Sequence, residues 1–63
     1  MIDTKNWLTA DQVAEQLATH PETIRQWVRE RKYLPFTRIG REARFEPRDV
    51  DAFLAAQRVE PVR

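Results

Sequence analysis

Residues 19–32 read THPETIRQWVRERK and combine an apolar stripe with a polar, basic face. The stripe consists of Ile24, Trp27 and Val28, which recur at the i, i+3 and i+4 spacing of one helix face. The other face carries Glu22, Thr23, Arg25, Gln26 and Arg29. Such a helix packs through its stripe, so we expect Trp27 to be buried against the first and third helices of the domain.

The polar face contains side chains that can read nucleic-acid bases. Arginine forks onto O6 and N7 of guanine, glutamine onto N6 and N7 of adenine, and threonine reaches a phosphate or a thymine methyl. A solvated helix face is the alternative interpretation, because arginine, glutamine and glutamate are also common helix formers. The charge distribution along the chain distinguishes between these two interpretations.

Basic residues are concentrated in the middle of the chain, although the formal net charge is only +1. Residues 25–44 contain seven arginines and lysines against two glutamates, whereas both flanking parts have a negative net charge. A local basic patch of this kind is typical of phosphate binding. The distribution therefore favours a DNA-binding surface.

The composition excludes several classes of protein. With 63 residues and no cysteine, the chain is expected to be a single small domain that packing alone stabilises. It lacks a long apolar run and a signal-peptide layout, so we expect no membrane contact and a cytoplasmic location. One histidine and one glycine cannot supply a metal site or a phosphate-cradling loop, and no nucleophile with its base is evident. We therefore predict a binding protein without cofactor, metal or enzymatic activity.

A first helix is predicted at residues 10–18, where apolar residues recur at helical spacing. Thr9 and Gln12 have the spacing of a capping box, in which each side chain bonds the backbone N–H of the other residue. Residues 1–6 have no periodicity, so we expect a loose arm that becomes anchored in the core from Trp7 onward.

A tight turn separates this helix from the second one, because Pro21 is best placed at a first helical position. Pro21 favours His20 as the N-cap, whereas Thr19 with Glu22 would form a second capping box, and both alternatives remain open. Two short helices joined in this way form a helix-turn-helix, whose second helix lies in the DNA major groove. Thr19 and His20 would then lie on the turn, toward the phosphates.

A short hairpin is predicted around Gly40, and its register has two alternatives. A two-residue loop, Gly40-Arg41, would put Ile39 on the same side as Glu42 and Arg44. A three-residue loop that also includes Glu42 shifts the pairing by one residue. Because side chains alternate along a strand, this shift turns the side chains of one strand to the other face.

We prefer the three-residue loop, because it separates apolar from basic side chains. It pairs Ile39 with Ala43 and Thr37 with Phe45, which gives the hairpin an apolar underside. The basic residues then occupy the outer face and the tip. These residues are Arg38, Arg41 and Arg44. A hairpin of this kind suits a wing along a phosphate backbone, and a structural hairpin with solvated arginines is the alternative.

A third helix is predicted from Pro47, with Val50, Phe53 and Leu54 as its apolar stripe. Its carboxylates are not arranged for catalysis, so we expect a structural role. The last residues of the chain show no pattern and are expected to be mobile, which leaves residues 7–57 as the ordered part.

The order of these elements resembles the excisionase family of small winged-helix DNA-binding proteins, which is related in fold to the DNA-binding domain of MerR-type regulators. The resemblance covers residues 7–54. Within it, ETIRQWVRE at residues 22–30, the following Pro35 and the Gly-Arg-Glu turn at residues 40–42 also look like lambdoid phage excisionases. The predicted fold is therefore mainly α with a small β-hairpin, a winged helix-turn-helix of three short helices and a two-stranded wing.

The resemblance implies roles for the residues singled out above. The major-groove set is Glu22, Thr23, Arg25, Gln26 and Arg29, and the wing contacts are Arg38, Arg41 and Arg44. The implied function is an excisionase that binds tandem attachment-site repeats, bends DNA and directs an integrase toward excision of a mobile element or prophage. A small transcriptional regulator with the same fold is one alternative, and a module that presents its basic face to an acidic protein is another.

The small size of the domain predicts that several copies bind next to one another on DNA. One helix and one wing contact too few base pairs to mark a unique site. We therefore expect a monomer that binds tandem sites cooperatively. Asp11 and Glu15 of one copy would meet the basic wing of the next copy in a head-to-tail contact.

Overall fold

The computed structural model describes residues 4–59, which form three helices and a two-stranded antiparallel sheet. The helices are α1 (Ala10–Gln16), α2 (Pro21–Glu30) and α3 (Pro47–Ala56), and the strands are β1 (Thr37–Ile39) and β2 (Glu42–Arg44). This architecture confirms the predicted winged helix-turn-helix. The expectations for residues 1–3 and 60–63 lie outside the described residues. No helix in the described part of the chain is long and apolar enough to cross a membrane.

The capping box predicted for the first helix is present. The Thr9 hydroxyl accepts a hydrogen bond from the Gln12 backbone N–H at 3.2 Å, and the Gln12 side-chain oxygen accepts one from the Thr9 N–H at 2.9 Å. These bonds satisfy donors that the start of a helix leaves unpaired. Just before the box, Leu8 packs against the core and Trp7 is half-buried.

The first helix ends at Gln16, earlier than predicted, because the chain turns at Ala18 into the left-handed conformation with φ 53°. The N–H of Ala18 donates to the carbonyl of Glu15 at 3.1 Å, and the N–H of Thr19 donates to that of Ala14 at 2.9 Å. These two bonds are the Schellman pattern, in which glycine is the usual left-handed residue. The backbone therefore closes the helix without a glycine.

The second helix begins with Pro21 at its first position and His20 as its N-cap. Of the two N-cap alternatives, His20 is therefore the correct one. The His20 side chain makes no cap hydrogen bond, and its backbone carbonyl accepts from the N–H of Thr23 at 3.0 Å. The fixed φ of proline suits this first position and leaves one less N–H to satisfy.

A second Schellman pattern ends α2 at Arg31, whose φ is 56°. The N–H of Arg31 donates to the carbonyl of Val28 at 3.2 Å, and the N–H of Lys32 donates to that of Trp27 at 3.0 Å. Tyr33 also has a positive φ, 74°. The chain thus turns from α2 toward the hairpin through two non-glycine residues in the left-handed region, which costs energy because of their Cβ atoms.

The core takes residues from all three helices and from the segments on either side of the hairpin, and Ala43 of β2 packs against it. The buried side chains are Val13, Ala14, Ile24, Leu34, Phe45 and Val50. Ile24 brings the apolar stripe of α2 into this core, with Val28 partly buried beside it. The polar face of α2 consequently points outward.

Two predicted core positions are less buried than expected. Trp27 is half-buried, with its ring centroid 5.6 Å from that of Phe53 in α3 and 4.9 Å from that of the exposed Tyr33. The prediction that Trp27 is buried is confirmed only in part: it packs against the core and contacts Phe53 of α3, but Ile24 is the residue of the stripe that is fully buried. Leu54 is also exposed, so α3 reaches the core mainly through Val50 and Phe53.

The register preferred for the hairpin is wrong. The strands pair Thr37 with Arg44, Arg38 with Ala43 and Ile39 with Glu42, around the two-residue loop Gly40-Arg41. Gly40 has φ 64°, and glycine at the first loop position suits a tight two-residue hairpin turn. As a consequence Arg38 and Arg44 lie on opposite faces of the hairpin, and Ile39 is exposed.

A contact from outside the hairpin explains this register. The backbone N–H and C=O of Phe45 bond to Leu8, at 2.9 and 2.7 Å, so Leu8 takes the place that Thr37 had in the preferred register. Ala43 and Phe45, two positions apart on the strand, still both pack toward the core. The N-terminal segment therefore extends the pairing of β2 beyond the wing.

Candidate nucleic-acid interface

A groove of about 300 Å³ lies between the start of α1, the exposed side of α2 and the hairpin. Five arginines line it, two from α2 and three from the hairpin: Arg25, Arg29, Arg38, Arg41 and Arg44. The carboxylates of Asp11 and Glu42 also line the groove. Its walls therefore carry a positive net charge, and a concave surface of one charge sign concentrates the potential that attracts an anion.

On the α2 wall, carboxylates hold both arginines. Arg29 Nη2 donates to Glu22 Oε1 at 2.9 Å, and Arg25 Nη2 donates to Asp11 Oδ1 at 2.8 Å. The other Glu22 oxygen lies 3.9 Å from Arg25 Nη1. The hydrogen bond from Arg29, together with its positive charge, lowers the pKa of Glu22. The two arginines of this wall are thus ordered by neighbours of opposite charge.

On the hairpin wall, the three arginines have different surroundings. Arg44 Nη1 lies 2.7 Å from Glu42 Oε2. The guanidinium of Arg38 lies 6.0 Å from the ring centroid of Phe36, within the range of a cation–π contact. Arg41 is exposed at the turn, and no residue among 4–59 forms an ion pair with it. A phosphate can therefore bind Arg41 without displacing a carboxylate.

The chain matches a known protein family. Residues 7–58 match the sequence model of a family described as a helix-turn-helix domain. The chain belongs to this helix-turn-helix family. Comparison with curated proteins and with solved structures found no match. Membership supports sequence-specific binding of double-stranded DNA, and helix-turn-helix domains of this family are typically not enzymes.

Five predicted contact residues of this helix-turn-helix domain lie outside the lining of the groove. Glu22 and Gln26 are exposed on α2, where Glu22 faces the two arginines and the Gln26 amide donates to a neighbouring glutamate at 3.2 Å. Thr23 is half-buried, and Thr19 and His20 are exposed in the turn before α2. The structure thus brings the helix arginines together with the hairpin arginines and leaves these five residues on the adjoining surface.

Asp11, like Glu42, lines the groove but is not among the predicted contact residues. We expected it on a surface that meets a neighbouring copy, but its carboxylate lies against Arg25 of the same chain. The two residues are 14 positions apart, so no local spacing indicates their contact. The signal that can find it is the helix-turn-helix arrangement itself, which places the start of α1 beside α2.

Proposed function

We propose that this helix-turn-helix domain binds and bends double-stranded DNA as an excisionase, which directs an integrase toward excision of a mobile element or prophage. The observation that carries the proposal is the groove with arginines on both of its walls. A duplex offers two matching features, namely base edges in the major groove and phosphates along the strands beside it. The α2 wall would contact the base edges, and the hairpin wall would contact the phosphates.

In this proposal α2 is the element that reads bases. Arg25, Gln26 and Arg29 are exposed on it and carry the donors that guanine and adenine edges accept. Salt bridges order the two arginines before DNA arrives, so less side-chain freedom is lost on binding. Thr19 and His20 precede the helix and would lie toward the phosphates at the edge of the major groove.

The hairpin is the element that binds the DNA backbone. Arg41 is exposed and has no carboxylate partner among the described residues, so it is available to a phosphate. Arg38 and Arg44, on opposite faces of the hairpin, both line the groove and add positive charge to it. Because phosphate contacts carry no sequence information, the hairpin wall would set the affinity and its salt dependence rather than the choice of site.

A unique site requires several copies of so small a domain. One helix and one hairpin cover few base pairs, and adjacent copies on tandem sites would extend the recognised sequence. The head-to-tail contact that we expected from the sequence needs a partner for the basic wing. Since Asp11 bonds Arg25, the exposed Glu15 is the acidic residue of α1 that remains for it. The wings of neighbouring copies would then favour bent DNA, because bending brings phosphates toward the protein.

The choice of excisionase within DNA-binding functions rests on the resemblance of residues 7–54 to that family. The same groove would serve a small transcriptional regulator that occludes a promoter. The two functions differ in the position and number of the DNA sites, not in the surface that binds them.

Footprinting across the DNA that surrounds the gene tests the proposal. We expect tandem protected sites beside integrase sites, and a second adjacent site that fills at lower protein concentration than a lone site. Circular-permutation gels should show a bend. A single protected site over a promoter, without a bend, would support the regulator instead. A wild-type chain that binds no duplex would contradict both functions.

A further inference from the structure

We infer that Asp11 is a specificity-determining residue, because it positions Arg25 for a guanine edge and withholds it from phosphates. The inference rests on the proposed DNA-binding function and deepens it. Asp11 lies on α1, outside the helix that would read the bases. Its role is therefore that of a positioning residue, which acts through the arginine that it holds.

The salt bridge between these residues joins two firmly placed backbones. Arg25 Nη2 lies 2.8 Å from Asp11 Oδ1, with side chains that are 49% and 66% exposed. The capping box of Thr9 and Gln12 fixes the first turn of α1, where Asp11 lies. Ile24, next to Arg25, is fully buried in the core. Since both backbones are fixed, the carboxylate limits the orientations that the guanidinium can take.

The contact leaves most of the Arg25 guanidinium available to DNA. A guanidinium has five N–H donors, and the bond to Asp11 occupies only one side of Nη2. A guanine edge needs two donors, for O6 and N7. Arg25 can therefore keep its bond to Asp11 while it reads a guanine. Because the fork is already oriented, binding costs less side-chain entropy.

A phosphate, in contrast, competes with Asp11 for the same side chain. If Arg25 moved to a phosphate of the DNA backbone, the Asp11 carboxylate would lose its partner in a groove that faces DNA phosphates. Like charges at short range repel each other. Glu22, 3.9 Å from Nη1 of the same guanidinium, adds a second carboxylate that favours the present position. The pair thus weakens non-specific binding through Arg25 and raises the ratio of specific to non-specific affinity.

The test measures Asp11→Asn and wild type on two DNA probes. The specific probe is the duplex that wild type selects from a random-sequence pool, and the non-specific probe is a shuffled duplex of the same length and composition. We expect the affinity ratio to fall about tenfold in the variant, since one bidentate base contact accounts for discrimination of that order. Non-specific binding should become tighter, and its slope against log salt should steepen by about one, because the released Arg25 becomes a phosphate contact.

Asp51→Asn is the matched control, because it makes the same chemical change at an exposed position of α3 outside the groove. We expect it to keep the wild-type ratio. A double-mutant cycle isolates the pair: in an Arg25→Ala background, Asp11→Asn should leave the ratio unchanged. Circular dichroism melting curves confirm that each variant is folded.

An unchanged ratio in Asp11→Asn would overturn the inference and leave the proposed function intact. An equal fall in Asp51→Asn, or a full effect of Asp11→Asn without Arg25, would overturn it as well. A wild-type chain that selects no sequence and binds no duplex would overturn the proposed function and the inference together.

Discussion

The arginines of α2 and the arginine of the hairpin turn are held in different ways. On α2, Arg25 and Arg29 are each bonded to a carboxylate, at 2.8 and 2.9 Å. At the hairpin turn, Arg41 is exposed and has no ion-pair partner among residues 4–59. A base edge has one fixed position in the major groove, so an ordered donor suits it, whereas phosphates repeat along the strand and suit an adaptable one. A groove with a positive net charge can therefore divide the recognition of bases from the attraction of phosphates.

The largest expected effect is on stability, when the buried residue that follows the hairpin is truncated. Phe45 follows β2 and is 1% exposed. Phe45→Ala should lower the free energy of unfolding by about 3 to 5 kcal/mol. This is a large part of the stability of so small a domain. Thermal melts followed by circular dichroism measure the loss. Trp27→Ala, at a half-buried position of α2, should cost less, and an equal or larger loss there would contradict the burial of the two side chains.

The division between the walls predicts two kinds of loss in DNA affinity. Arg25→Ala should cost about 1 to 3 kcal/mol on the specific duplex and relax the preference at one base pair. Arg41→Ala should weaken specific and non-specific duplexes about equally and reduce the salt slope by about one. Fluorescence anisotropy titrations at several salt concentrations measure both effects.

Arg48→Ala is the control for these two variants. It removes an exposed arginine of α3 that does not line the groove, so affinity and slope should change little. Equal and uniform losses from Arg25→Ala and Arg41→Ala would contradict the division of labour between the walls.

The left-handed residues at the end of α2 and in the hairpin turn predict opposite effects on stability. Arg31 has φ 56° and Gly40 has φ 64°. Arg31→Gly should raise the free energy of unfolding by about 1 kcal/mol, because it removes the strain of a Cβ in this region. Gly40→Ala should lower it by about 1 kcal/mol, because it introduces the same strain. The added Cβ meets no atom within 4 Å, so no steric clash contributes to the loss. Urea titrations measure both changes in the free energy of unfolding. Ala52→Gly is the control for Arg31→Gly, because glycine inside a helix such as α3 should lower stability. A loss from Arg31→Gly would mean that the end of α2 is not strained.

The smallest effect concerns the pH dependence of the α2 wall. The hydrogen bond and charge of Arg29 lower the pKa of Glu22 below its ordinary value of 4.5. A carboxyl group with a lowered pKa stabilises the fold above its unfolded pKa, and this contribution is lost as the pH falls through the folded pKa. The difference in melting temperature between wild type and Glu22→Gln should therefore be small at neutral pH, decrease as the pH falls below the ordinary pKa, and vanish below the lowered one. Added salt should reduce it, because the pair is exposed. A difference that grows in acid would contradict this sign.

The helix starts and the turn between α1 and α2 follow from the sequence alone. Thr9 with Gln12 and the two prolines Pro21 and Pro47 mark the helix starts, because capping and proline act within one turn of the chain. The apolar stripe likewise predicted which face of α2 is exposed, since the helical period fixes the faces. Every arginine that lines the groove was among the predicted contact residues.

The hairpin register, the partner of Arg25 and the margin of the core depend on tertiary packing. The register depends on Leu8, which pairs with Phe45 from the far end of the chain. The orientation of Arg25 depends on Asp11, across the packed helices. Local patterns report only neighbours along the sequence. Which surfaces meet, and therefore which backbone groups and charges pair, follows from how the helices and the hairpin pack around one core.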